Sequence, residues 1–465
     1  VKAVDSVLIG AGQAAPSLAV SLAASGQQVV LIEGNLYGGT CVNVGCTPTK
    51  TLRKSARVAH LARRAAEFGV MTGPISVDFP AAIQRMRDKV EASRHGLVQW
   101  LEGMENLELI HGWGRFEGRD GERFLISVNG EMLSAAHVYL NTGTRALTPD
   151  LPGLDSVPHL DNASLLALNE CPEHLLIVGA SYIGLELGQI YRRLGARVSI
   201  IHRAGRIAER EDDDISAQIA DFLRAEGVEF ILNSSVTRLA PHADGVSAEL
   251  SDGSTLIGSH ILFATGRIPN VERLNLAAVG VETDKRGFIR TDAHFNTNVS
   301  GIKALGDING RGAFTHTSYH DYQIAWAELD GQQPDGQWHD ADRRVLSYAM
   351  FTDPPLGRVG ITLAQARERV QQGQSILVAE IRMADVSRAK EESETDGMLR
   401  LIVDVQSERF LGATILGIGG DEIIAVISNY MATGASYRLM MQALPVHPTV
   451  AEFFPTVLAR LRAVD

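Results

Sequence analysis

A chain of 465 residues is long enough for about three domains at roughly 150 residues each. Its 45% apolar share is the ordinary globular one, which excludes a disordered tail protein and a small stapled scaffold. Forty-three basic against 55 acidic residues leave a formal charge of −12, which excludes a general phosphate-backbone binder, and no uncharged apolar run approaches the ~18 residues of a membrane span.

From the start of the chain, the apolar run Val7-Leu8-Ile9 ends in Gly10-Ala11-Gly12-Gln13-Ala14-Ala15 and reads as a strand turning into a helix. The helical pattern breaks at Gly26, and a second apolar run, Val29 to Ile32, ends at Glu33. The same unit returns at Leu175-Leu176-Ile177-Val178-Gly179-Ala180-Ser181-Tyr182-Ile183-Gly184, breaks at Gly195, and runs from Val198 to Ile201 before His202. Gly10 to Gly26 and Gly179 to Gly195 both span 16 positions; Gly10 to Glu33 and Gly179 to His202 both span 23. Small residues let the backbone approach a pyrophosphate, whose charge then sits on a helix N-terminus. One such turn can serve packing alone. Two in matched register, 169 residues apart, predict two dinucleotide-binding, Rossmann-like domains and an α/β fold.

The two copies differ at the position that faces the ribose. Glu33 suits a ribose with both hydroxyls free, as in FAD. The second copy ends in His202-Arg203, with Arg206 nearby and no acid at that position. An arginine offers a 2′-phosphate a planar, always-charged fork that a carboxylate would repel, so NADPH is expected rather than NADH. The plainer alternative makes Arg203 and Arg206 a solvated face.

Between the units lies Gly38-Gly39-Thr40-Cys41-Val42-Asn43-Val44-Gly45-Cys46-Thr47-Pro48-Thr49-Lys50. Residues five apart on a regular helix have Cα atoms roughly 8–9 Å apart, too far for a disulfide. A Cys41–Cys46 bridge therefore needs a distorted opening turn, which Gly45 permits. A helix start also lowers a thiol pKa. Two unrelated buried cysteines are the bland alternative, and a zinc site lacks a second ligand pair nearby. With three cysteines in all and no basic-then-apolar leader, a cytoplasmic location is expected.

The stretch from Gly39 to Cys46, followed by Pro48 and Lys50, resembles the active-site signature of the FAD-dependent pyridine nucleotide–disulfide oxidoreductases. That family includes lipoamide dehydrogenase, glutathione reductase and mercuric reductase, and the general pattern here looks most like the mercuric-reductase-like group. The resemblance extends over the chain. Ala264-Thr265-Gly266-Arg267-Ile268-Pro269-Asn270 looks like the hinge between nucleotide domains, and Ala304-Leu305-Gly306-Asp307 like the second flavin motif. Phe351-Thr352-Asp353-Pro354, Val359-Gly360 and His447-Pro448-Thr449 with Glu452 look like the interface domain.

The resemblance implies an electron path from nicotinamide to flavin to disulfide. It makes Cys46 the sulfur against the flavin and Cys41 the interchange thiol that meets substrate. It puts Lys50 and Glu186 beside the flavin ring and makes Tyr182 an aromatic gate over the nicotinamide pocket. His447 and Glu452 become an acid–base dyad supplied by the partner subunit, which requires a homodimer. FAD contacts are expected from Gly10, Gly12, Ala15, Glu33, Gly39, Thr40, Lys50, Thr142, Gly143, Asp307 and Thr315. A helix opening near Thr315 would aim its N-terminus at the flavin's pyrimidine edge. Contacts to the nicotinamide nucleotide are expected from Gly179, Ser181, Tyr182, Ile183, Gly184, Glu186, His202, Arg203 and Gly266.

Departures from the family's patterns bear on the substrate. Residues Ala459 to Asp465 contain no cysteine, where mercuric reductases carry a vicinal pair, so efficient mercury handling is not expected. Lipoamide dehydrogenases keep an acid where His202 stands. His316 and His320 share a helix face, but no neighbouring acid completes a ligand pattern and no metal is expected; Cys171 is read as structural. The expected organisation is an FAD domain from residues 1–150 and 270–342, a nicotinamide-nucleotide domain from 151–269, and an α+β dimerisation domain from 343–465. A polar linker, Asp330 to Gly336, should precede the last. The expected function is transfer of electrons from NADPH through FAD and Cys41–Cys46 to a small disulfide or a thiol-bound metal ion. The alternatives are NAD-dependent oxidation of a dihydrolipoamide-like dithiol, a dithiol oxidase using oxygen, and a flavin redox sensor without turnover.

Overall fold

The apolar run at the start of the chain becomes the strand Lys2–Ile9, paired in parallel with Val29–Glu33 on one side and Glu131–Leu140 on the other. The computed structural model describes residues 1–331 and 340–465, so the expected linker lies outside the described residues from Gln332 onward. Buried alanines and leucines along Ala15–Ala24 let that helix pack closely on the sheet. Glu131–Leu140 splits its outer edge: its first half pairs antiparallel with Arg123–Val128, its last residues in parallel with Ile302–Ala304. This split recruits the later segment into the first sheet. The helix Phe79–Glu102 is capped by the Asp78 carboxylate, which accepts from the Ala81 N–H at 2.9 Å.

The second unit builds a smaller parallel sheet in the order Val228–Ile231, Arg197–Ile201, His174–Val178, His260–Phe263. Its two central strands, Arg197–Ile201 and His174–Val178, are mostly apolar and buried, as parallel strands with helices on their faces are. The C-terminal region is a different layer: a six-stranded sheet containing Ser347–Met350, Leu356–Gly360, Phe410–Leu416, Met398–Asp404 and Ile376–Arg382, all paired antiparallel. The helix Gly420–Thr433 packs on it so closely that a Cβ on Gly357 would lie 2.0 Å from the Gly420 carbonyl oxygen. One mixed and one all-parallel nucleotide-type sheet, with an α+β layer, make up the expected fold class. Among the described residues, no helix is long and apolar enough to cross a membrane.

Buried charge joins the three layers. Asp353, 6% exposed, accepts hydrogen bonds from Arg57 on the helix Cys46–Arg63 and from Arg193 on the helix Tyr182–Leu194. Gln189 closes the knot, donating to the Asp353 carbonyl and accepting from its N–H, both at 2.8 Å. Arg193 also grips Glu226 at 2.7 Å, and Arg57 grips Glu394 at 2.5 Å. A second knot centres on buried Arg400, which pairs with Asp212 at 3.0 Å, Glu380 at 2.6 Å and also Asp214.

Burial pushes the Asp353 carboxyl up, but the Arg57 and Arg193 guanidiniums outweigh it and hold the group down at about 2. A carboxylate depressed on folding contributes stability that is present above its unfolded pKa and is lost as pH falls through its folded one. Asp353→Asn removes the carboxylate shared by two guanidiniums, which keep Glu226 and Glu394 as partners, and is expected to cost about 3 kcal/mol at pH 7. Urea unfolding at pH 7 and again between pH 4 and pH 2 checks this: the gap between the two proteins should narrow in the acid range as the wild-type carboxyl protonates.

Candidate active site

The helix Gly39–Val44 stops at Gly45, whose φ of −131° and ψ of −111° are non-helical, and Cys46–Arg63 starts a new helix. A Cβ on Gly45 would lie 2.8 Å from the Thr40 carbonyl oxygen, so glycine is what allows the break. The distortion expected between the two cysteines is therefore present. Asn43 braces it, its amide donating to the carbonyls of Tyr37 at 3.0 Å and Gly39 at 2.9 Å. Cys41 and Cys46 are free thiols hydrogen-bonded to each other.

Around this pair the expected residues assemble. The Cys46 sulfur lies 3.3 Å from the Thr315 hydroxyl, at the start of the helix Thr315–Leu329. One turn past Cys46, the Lys50 ammonium donates to Glu186 at 2.8 Å and lies 4.3 Å from the centre of the Phe351 ring. Glu186 is buried, and its other oxygen accepts from the Phe351 N–H at 2.8 Å. The carboxylate thus belongs to all three layers.

Although Cys46 is open to solvent in this chain, the hydrogen bond from Cys41 pulls its thiol down to about 6, helped by Thr315 and the Lys50 charge. Donating that hydrogen bond to the Cys46 sulfur and being partly buried push the Cys41 thiol up. Near neutrality one sulfur is a thiolate and the other its proton donor, which is the division of labour a dithiol–disulfide couple needs.

The first glycine turn faces the same place. Gly10 has φ +92°, and a Cβ there would lie 2.5 Å from the Asn141 carbonyl oxygen; one on Gly12 would lie 2.6 Å from the Asn141 side-chain oxygen. Asn141 itself is buried, accepting from Ala15 N–H at 3.2 Å and donating to the Leu305 carbonyl at 2.7 Å. Gly39, with φ +58°, brings the start of the cysteine helix against Gly12. Two carboxylates lie near this turn. Glu33 accepts from the N–H groups of Ala11 at 2.7 Å and Asn35 at 2.8 Å, and burial pushes its carboxyl up. Asp307 is pushed up by burial too, against the pull of Arg267, and accepts from Thr144 at 3.1 Å. Gly143, with φ +64° and nothing within 4 Å of where its Cβ would be, leaves open space beside Thr142. Two enclosed carboxylates with spare acceptor capacity and a glycine turn presenting N–H groups fit a dinucleotide such as FAD.

The second turn repeats the geometry. Gly179 has φ +110° and abuts the Ala264 carbonyl; a Cβ on Gly184 would lie 2.1 Å from the Gly179 carbonyl oxygen. Ser181 and Ile183 are exposed at the mouth, and Gly266, φ +149°, lies on the crossing between the two nucleotide units. The Tyr182 hydroxyl donates to Glu211 at 2.7 Å. His202 accepts from the Ala180 N–H at 3.4 Å, and its other nitrogen lies 2.9 Å from Glu209. Arg206 is turned back onto the carbonyls of Glu211 at 2.6 Å and Glu209 at 2.8 Å. Of His202, Arg203 and Arg206, Arg203 alone is exposed and has no ion pair among the described residues.

His447 is the outlying member. Its Nδ1 lies 2.8 Å from Glu452, yet its side chain is 75% exposed, flanked by Leu444 at 98% and Val446 at 76%. Among the described residues, neither Cys41 nor Cys46 hydrogen-bonds to it within the chain. His316 Nε2–H donates to the Ser347 carbonyl at 2.6 Å, and no group of three potential metal ligands occurs among the described residues. Burial pushes the Cys171 thiol up to about 11, consistent with a structural thiol.

Asn141, Arg267, Glu209 and Glu211 were not singled out by the sequence reading. Only Arg267 carried a signal, its place in the hinge motif; the others are polar residues in loops or at a strand end. In the reduced protein, thiolate absorbance near 240 nm should rise with a midpoint near pH 6. Cys41→Ala, which removes the first of the interactions lowering Cys46, should move that midpoint up by about one to two pH units.

Residues 4–327 match the pyridine nucleotide-disulphide oxidoreductase family, and residues 346–458 match its dimerisation domain, in accord with a homodimer. The chain is 35% identical to the probable pyridine nucleotide-disulfide oxidoreductase RclA of Escherichia coli (strain K12), over 96% of this chain and 97% of that one. It is 31% identical to the mercuric reductase of Bacillus cereus, over 96% of this chain and 70% of that one. The Cu(II) complex of HOCl-induced flavoprotein disulfide reductase RclA from Escherichia coli superposes with a TM-score of 0.89 at 33% identity, covering 98% of this chain and 100% of that one. Likeness over nearly the full length, through both nucleotide-binding units and the dimerisation region, makes this chain a member of the FAD-dependent pyridine nucleotide–disulphide oxidoreductases, enzymes that use NAD(P)H.

Proposed function

We propose that the protein uses NADPH to reduce a small disulfide or a thiol-bound metal ion at the Cys41–Cys46 pair. The observation that carries this reading is the asymmetry of the two sulfurs, one held as a thiolate beside Thr315 and Lys50, the other kept protonated. A metal ion as the oxidised substrate is supported by the mercuric reductase and the Cu(II)-bound RclA among the similar proteins.

Bound in the first cleft, FAD would supply a two-electron carrier between nicotinamide and disulfide. In this reading Glu33 binds the adenosine ribose and the N–H groups around Gly10, Gly12 and Ala15 receive the pyrophosphate. Thr40, Thr142, Gly143 and Asp307 hold the ribityl side. Lys50, fixed by Glu186, places a positive charge beside Cys46 that favours the thiolate over the thiol. Cys41, partly buried in the single chain, takes the interchange role, attacking the substrate disulfide or binding the metal ion. His447 of the other subunit takes the proton from that thiol and returns it to the leaving sulfur, with Glu452 fixing the ring. The exposed position of His447 and the apolar Leu444 and Val446 beside it support a site completed across a dimer. We assign 1–150 and 270–342 to the flavin domain, 151–269 to the nicotinamide-nucleotide domain and 343–465 to dimerisation.

Subunit mixing tests the shared site. Cys41→Ser and His447→Ala homodimers should each be nearly inactive. After denaturation and refolding together, half of the dimers carry one intact site, so about a quarter of wild-type disulfide reductase activity should return. No recovery would place both groups on one subunit's site. For the nucleotide, Arg203→Ala should raise the KM for NADPH about tenfold and leave that for NADH unchanged, as expected for loss of one charged phosphate contact. Equal effects on both would remove the basis for preferring NADPH.

A further inference from the structure

Glu211 has no part in the chemistry above, yet its side chain is fully buried and fully engaged. One carboxylate oxygen accepts from the Tyr182 hydroxyl at 2.7 Å and from the Tyr348 hydroxyl at 2.8 Å; the other pairs with Arg358 at 3.1 Å. Arg358 and Tyr348 belong to the strands Leu356–Gly360 and Ser347–Met350 of the C-terminal sheet. The Tyr182 and Tyr348 rings lie 5.5 Å apart, and Tyr348 stacks on Phe314 at 5.5 Å with an interplanar angle of 11°. Burial and the carboxylate push both phenols up, so each is a donor.

Tyr182 opens the helix that follows the second glycine turn, four positions before Glu186. It lies one turn before Glu186, the residue that reaches Lys50, and its ring packs against Tyr348 of the C-terminal sheet. Resting on the proposed reading of this ring as the cover of the nicotinamide pocket, we propose that Glu211, anchored by Arg358 and Tyr348, is a latch that holds Tyr182 shut and thereby sets the affinity for pyridine nucleotide. Glu211 is a positioning residue: it acts through Tyr182 and touches no reacting atom. A nucleotide must break the phenol–carboxylate bond to move the ring. Its apparent dissociation constant is then the intrinsic one divided by the fraction of protein with the ring open. A hydrogen bond to a charged acceptor, at its usual net strength, reduces that fraction by roughly ten- to a hundredfold. A bond used only for stability would leave nucleotide affinity alone.

The experiment is calorimetric titration of the full-length, flavin-loaded dimer with NADP+ and with NAD+, beside thermal melting. Tyr182→Phe keeps the ring and removes the donor; it should bind the preferred nucleotide about tenfold or more tightly than wild type. Glu211→Gln keeps an acceptor without the charge and should fall between the two. Equal or weaker binding by Tyr182→Phe overturns the latch, whatever its melting temperature. So does Glu211→Gln, where it folds, if it binds as wild type does. Failure of both nucleotides to bind even the wild-type protein would overturn the reading of the second unit itself, and the latch with it.

Discussion

Three stretches of chain that lie far apart in sequence meet on one buried carboxylate, Asp353. Its partners, Arg57 and Arg193, sit on the cysteine helix and on the helix of the second nucleotide turn. A charge removed from water survives only where opposite charges and hydrogen bonds replace the solvent, so the carboxylate is satisfied in one arrangement of the three layers. Gln189 adds direction by bonding both backbone groups of the same residue. Hydrophobic burial provides most of the attraction between the layers, but it is non-directional; the knot sets how they sit.

The sulfur pair inherits that arrangement. Glu186 lies one turn before Gln189 and two turns before Arg193 on the same helix, and it reaches both Lys50 and the Phe351 N–H. The lysine that lowers the Cys46 thiol is therefore held by the same face that carries the knot. Were the helices to slide past each other, the positive charge would leave the thiolate and the two cysteines would lose much of their difference. Stability and redox asymmetry rest on one contact surface. The Glu211 cluster repeats the device on the other side of the same helix start, with a carboxylate joining Tyr182 to the C-terminal sheet.

Much of this was legible because it depends on local chemistry. A strand ending in small residues can do little but turn tightly, and the matched spacing of Gly10–Glu33 and Gly179–His202 exposed the repeat without any knowledge of contacts. The break at Gly45 was readable for the same reason: two cysteines five apart cannot approach on an unbroken helix. Asn141 was not legible, because an asparagine closing an apolar run looks the same whether it faces water or fills the space under two glycines. Arg206 shows the converse. Counted as a neighbour of the nucleotide phosphate, it is bound instead to the carbonyls of its own loop, while Glu209 brings a carboxylate to His202 from a turn whose course the sequence pattern does not define.

By itself the amino-acid order settles which backbone can turn and approach a phosphate, which residues can carry redox chemistry, and how many such units the chain contains, since these follow from side-chain size and functional groups over a few neighbouring positions. It leaves open which charges are matched at a distance. The pairing of Asp353 with Arg57 and Arg193, of Glu186 with Lys50, and of Glu211 with Tyr182 and Arg358 was decided only by tertiary structure. Each joins residues more than 25 positions apart, and a buried ion chooses its partner by what folding brings within hydrogen-bond reach, a distance that no local pattern encodes.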